Sequence, residues 1–124
     1  DRPTGTIIDT IVLHGDAHPD PSPAGEDTVV RFLTTKHADK SQNRSYHVYV
    51  RRSGAEAFLL VPAKRRAWHA GVSTFLGRAN VNDFALGLCL ANTQRGEAYP
   101  APQLRLAAAI AAGWMRQFPA ITLE

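Results

Sequence analysis

Hydrophobic positions in this chain fall into separated groups whose spacing changes from one to the next. Thr6 to Leu13, TIIDTIVL, is apolar and β-branched almost throughout, the pattern of a buried strand, and it ends at His14-Gly15. The proline-rich stretch DAHPDPSPAG then marks a loop. From Glu26 to Lys36 the period lengthens, and Val29, Val30, Phe32 and Leu33 share one helical face. Glu26 and Asp27 open that helix and Lys36-His37 close it, as the helix dipole favours. ADKSQNRS is a polar loop.

SYHVYVRRSGAEAFLLVPAKRR predicts two strands joined at Ser53-Gly54. Alternation puts Tyr46, Val48 and Val50 on one face and His47 and Tyr49 on the other. The second strand, Ala57 to Val61, stops at Pro62. AWHAGVSTFLGRANVND reads as loop, and FALGLCLAN, a short apolar run bounded by polar residues, as a central strand. Pro102 opens a helix on which Leu104, Ala107, Ala108, Ala111, Trp114, Met115 and Phe118 share a face, and Pro119 ends it. The order strand, helix, strand, strand, strand, helix predicts an α/β fold, a single mixed β-sheet flanked by helices.

Composition narrows this only slightly. At 124 residues, 44% hydrophobic and 20% charged, the chain suits one domain with its own core. No apolar run approaches the ~18 residues of a membrane span. Cys89 is the single cysteine, so no internal disulfide forms. The net charge of +3 favours anionic partners weakly, because the basic residues are spread along the chain. Lys64-Arg65-Arg66 lacks interleaved aromatics, which argues against a nucleic-acid platform. Residue 1 is Asp and the single Met is Met115, so the sequence is expected to start downstream of a start codon; the closing PAITLE has neither a helix stop signal nor a tail-like composition, so the domain is expected to continue past Glu124.

Several residues carry possible chemistry. His14 closes a buried strand where the chain opens into a loop, a place α/β folds use for ligands. It is either a metal ligand or a hydrogen-bonded histidine at a sheet edge. His18 lies four residues on, but Pro19 and Pro21 prevent the helix that would pair the two rings. His37 suits a helix C-cap, and His47 suits packing within its strand. Tyr46 is either an oxyanion donor or a half-buried strand aromatic. Cys89, inside an apolar strand, reads as packing rather than nucleophile. Trp68-His69, set between small residues, remains unexplained by any of these elements.

VPAKRRAWHAGVS followed by GRANVNDFALGLCLAN resembles the central block of zinc-dependent N-acetylmuramoyl-L-alanine amidases, and the likeness extends to SYHVYVRRSG and DTIVLHGDA. That family includes AmpD-type muropeptide amidases, phage amidase lysozymes and peptidoglycan recognition proteins. The resemblance implies one amidase-like domain over residues 1–124, truncated before the segment that carries the family's two remaining zinc ligands. It implies hydrolysis of the amide between N-acetylmuramic acid and L-alanine in peptidoglycan or muropeptides. A metal-free peptidoglycan-binding module is the alternative.

By the same resemblance His14 is a ligand of Zn2+, with Asp16 a candidate acceptor behind it. Tyr46 is the catalytic tyrosine of phage-type members, while Cys89 sits where AmpD-type members carry a glutamate. Trp68, His69 and Asn82 contact substrate. The implied partner is a peptidoglycan or muropeptide rather than nucleic acid, and the location is either cytoplasmic or the cell envelope.

Overall fold

The computed structural model describes residues 1–123. Its centre is a four-stranded sheet in the order β1 (Thr10–Gly15), β6 (Ala85–Leu90), β2 (Val48–Val50), β3 (Ala57–Leu59). β1 and β2 both run parallel to β6, and β3 is antiparallel to β2, so the sheet is mixed. All six residues of β6 are buried, as its unbroken apolar run requires of a strand covered on both faces.

Two helices cover the two faces. α3 (Ala101–Gln117) lies on the face of Val48, Val50, Leu86, Leu88 and Leu90, with Trp114 in that core. α1 (Pro23–Thr34) lies on the other face, where Val29, Val30 and Leu33 pack with Tyr49, Cys89 and Ala91. Ser22 caps α1 by accepting from the Gly25 amide at 3.2 Å. Arg51, just after β2, ties that end of α1 to the sheet through Glu26 at 2.9 Å, Asp27 at 2.5 Å and Glu56.

The segment expected to be loop holds more structure. β4 (Thr74–Phe75) and β5 (Arg78–Ala79) form a small hairpin, and α2 (Val81–Phe84) is a single helical turn. None of the three is long enough to show a period in the sequence. Four further expectations shift. The first strand starts later and includes His14-Gly15, and α1 starts earlier, at Pro23. β2 and β3 are shorter than the runs that predict them.

The buried face of α3 is rotated from the one expected. Gln103, Ala107 and Trp114 are inside, whereas Leu104 is 48% exposed. Gln103 wins the interior place because its Nε2 donates to the carbonyls of Ala91 at 2.9 Å, just past β6, and of Val50 at 3.3 Å, the last residue of β2.

The alternation before β2 also breaks. The amides of Leu60 and Val61 both donate to the His47 carbonyl, so two residues of one strand oppose one of the other. The local slip moves Tyr46 to the face of Tyr49 and Cys89, not that of Val48 and Val50.

Candidate active site

His14, Tyr46 and His69 meet on the α1 face of the sheet. His14 stands one residue from the end of β1, in register with Cys89 on β6. Its ring lies 5.0 Å from that of Tyr46 and 5.1 Å from that of His69, centroid to centroid. His14 Nε2 and His69 Nδ1 are 3.0 Å apart and share a hydrogen bond. His14 Nδ1 has no hydrogen bond among the described residues, so it is the nitrogen left for a ligand. Burial holds the His14 pKa below the usual histidine value, which keeps the ring neutral at pH 7.

His69 is 9% exposed. Its ring lies over Gly87 of β6, where a Cβ would come within 2.6 Å of His69 Cγ. Glycine in the middle of a buried strand therefore makes room for an imidazole. The backbone of the same turn is held by Asn82, whose Oδ1 accepts from the amides of His69 at 3.0 Å and Ala70 at 2.9 Å. Burial, then repulsion from His14 and His47, lowers the His69 pKa to about 4. Its Nε2 is buried without a formed hydrogen bond.

His47 sits close by with a different task. Its Nδ1 accepts from the Gly87 amide at 2.9 Å, and its Nε2 donates to the Arg65 carbonyl at 2.9 Å. Both ring nitrogens are spent on backbone, so the ring is neutral and structural. Burial lowers its pKa to about 4.

Tyr46 and Cys89 lie on the same face of the sheet, and both are held in their protonated forms. Burial first, and then the Cys89 sulfur, pushes the Tyr46 phenol up to about 12. Burial also pushes the Cys89 thiol up, so it is not a thiolate nucleophile.

The other candidates separate from this cluster. Asp16 does not back His14: its carboxylate accepts from the Tyr49 hydroxyl at 2.6 Å and from the Asn92 amide at 3.0 Å. His18 and His37 are loop residues engaged in their own turns. Asn82 is buried and its oxygen is occupied, so it shapes the Trp68–Ala70 turn from behind instead of facing the cleft. Trp68 is 53% exposed, with the Arg66 guanidinium 4.3 Å from its ring centroid. It is joined to the strand of Tyr46 by a reciprocal pair: the Ser45 amide donates to the Trp68 carbonyl at 3.0 Å, and the Trp68 amide to Ser45 Oγ at 2.9 Å. The resemblance gave His69 a place against substrate; the contact with His14 gives it a second and closer partner. The residue that sequence reasoning passed over is Gly87, and its signal was an isolated glycine in an apolar strand.

The mixed sheet covered by two helices is shared with solved amidases. A selenomethionine derivative of AmpD superposes with a TM-score of 0.77 at 30% identity, covering 93% of this chain and 68% of that one. AmpDh3 from Pseudomonas aeruginosa, solved in complex with an anhydromuramic pentapeptide, superposes with a TM-score of 0.75 at 25% identity, over 98% of this chain and 50% of that one. In sequence, the 1,6-anhydro-N-acetylmuramyl-L-alanine amidase AmpD of Citrobacter freundii is 42% identical over 77 residues, which is 62% of this chain and 40% of the relative. The family model described as N-acetylmuramoyl-L-alanine amidase matches residues 4–124, and the chain belongs to that family. It spans about two fifths of the length of the curated relative it matches.

Proposed function

We propose that this protein hydrolyses the amide between the lactyl group of N-acetylmuramic acid and L-alanine in muropeptides or peptidoglycan. The observation that carries the reading is the convergence of His14, His69 and Tyr46 on one face of the sheet, in a chain whose family match runs almost from end to end. Trp68 supplies a half-exposed indole beside that cluster, a flat wall for sugar or peptide.

The residues divide the work as follows. Tyr46 is protonated at any pH the enzyme meets, so its hydroxyl can donate to the oxyanion that forms when the scissile carbonyl is attacked. Cys89 stays neutral beside it and does not compete as a nucleophile. His69 fixes the ring plane of His14 through the 3.0 Å contact, and Asn82 fixes the turn that carries His69. These two are positioning residues.

Zn2+ is the metal that the resemblance implies, and a neutral His14 with an unengaged Nδ1 fits as one donor to it. Among the described residues no group of three metal-ligating side chains exists, and His14 is the donor that the cluster offers. A bound zinc would polarise the scissile carbonyl and lower the pKa of a coordinated water towards ~7.

The test is incubation with an anhydromuramyl peptide and detection of the released L-alanyl peptide by mass spectrometry. Tyr46→Phe is expected to lower kcat by about 10²–10³-fold with little change in KM, as loss of an oxyanion donor does. His14→Ala should abolish turnover. A wild-type protein that neither cleaves nor binds the substrate would sink the proposal.

A further inference from the structure

Beside Trp68 lies a trench of about 450 Å³ lined by Lys36, His37, Ala38, Lys40, Asn43 and Trp68. Its far wall is the turn that follows α1, and that turn is already ordered. The His37 amide donates to Asn43 Oδ1 at 3.1 Å, and His37 Nε2 donates to the Phe32 carbonyl at 2.9 Å. The His37 ring stacks on Phe32 with centroids 4.3 Å apart. The single acid of the turn, Asp39, has its Oδ1 held by the amide and hydroxyl of Ser41, at 2.9 and 2.7 Å.

Lys36 and Lys40 are left without an ion pair among the described residues. Arg66, which stacks on the same indole, is by contrast neutralised by Asp83 at 2.7 Å. The trench is thus bordered by an indole and by two lysines without ion pairs. Trp68 also ties it to the histidine–tyrosine cluster. Trp68 is bonded to Ser45, Ser45 adjoins Tyr46, and the Tyr46 ring touches that of His14. Arg44 adds a positive charge felt at Tyr46.

We propose that this trench is a subsite for a carboxylate of the stem peptide, so that the protein prefers acidic muropeptides to their amidated counterparts. The inference rests on the muropeptide reading above and deepens it. A stem peptide leaving the reaction cleft across Trp68 meets Lys36 and Lys40, and its free carboxylates are the complementary charge. The α-carboxylate of a γ-linked glutamate is the nearest to the scissile amide. Two exposed ion pairs of ordinary strength correspond to about a fivefold preference at low salt.

The experiment compares binding of N-acetylmuramyl-L-alanyl-D-isoglutamate with that of the same compound bearing isoglutamine, which differs only by carboxylate against carboxamide. The acid is expected to bind about fivefold more tightly at low salt, and the preference should shrink towards unity at 0.5 M salt, a concentration about threefold above the physiological level at which exposed charges still interact. The double substitution Lys36→Gln, Lys40→Gln should abolish the preference while leaving affinity for the amide unchanged. Both lysines are exposed, so the fold should not suffer. Equal affinity of the wild type for the two compounds, or a preference that survives the double substitution, overturns the subsite. Displacement of the acid by an equal concentration of inorganic phosphate would also overturn it, in favour of phosphate. If neither compound binds the wild type, the muropeptide reading itself falls, and the subsite falls with it.

Discussion

At the scale of single residues, the cleft depends on a few small groups placed against one imidazole. Gly87 leaves room for the His69 ring, and Asn82 holds its backbone. Gly87→Ala would put a methyl 2.6 Å from His69 Cγ in a fully packed strand. We expect it to push His69 off His14 and to cost about 1–3 kcal/mol, read by urea unfolding and by loss of the His14–His69 hydrogen bond in imidazole NMR spectra. Asn82→Ala removes the acceptor for two amides at once. Its expected cost is about 1–3 kcal/mol, and equal midpoints for mutant and wild type in the same unfolding assay would contradict the clamp. Of these residues, Trp68, His69 and Asn82 were legible only because their motif resembles a family. Sequence alone could not say that His69 and Asn82 turn inward, because burial is set by what packs above them.

At the scale of elements, alternation and helical period located the main strands and both long helices, and failed where a local bond overruled the pattern. The shared His47 carbonyl shifts Tyr46 across the sheet, which brings its phenol to Cys89 and His14. A helical wheel favours Leu104 for the core of α3, yet Gln103 goes in because two strand-end carbonyls need a donor. Gln103→Met should keep the volume and lose both bonds, with an expected destabilisation of about 1–3 kcal/mol by thermal or chemical unfolding. A variant as stable as wild type would show that packing, not the paired carbonyls, fixes the helix. The β4–β5 hairpin and α2 were missed because elements of two to four residues have no period to detect.

For the whole molecule, the buried neutral histidines couple stability to pH. His47 has a folded pKa of about 4, below the value of 6.5 it has when exposed, and it faces the Arg2 guanidinium at 3.2 Å. Between those two values the unfolded chain binds the extra proton and the folded one does not. Stability is therefore full above pH 6.5 and falls as the pH drops towards 4. His47→Asn keeps an acceptor for the Gly87 amide without a titrating ring, and it should reduce the slope of unfolding free energy against pH by up to one proton over this window. An unchanged slope would remove His47 from the account. The sequence by itself determined the order of the main strands and long helices, the central apolar strand and the family, because periodicity and motif spacing are written in consecutive residues. Only the tertiary structure decided which face Tyr46 joins, that His69 reaches His14 rather than solvent, and that Lys36 and Lys40 line one trench with Trp68. Those outcomes join positions tens of residues apart, and they follow from packing and hydrogen bonding across the sheet that no local pattern records.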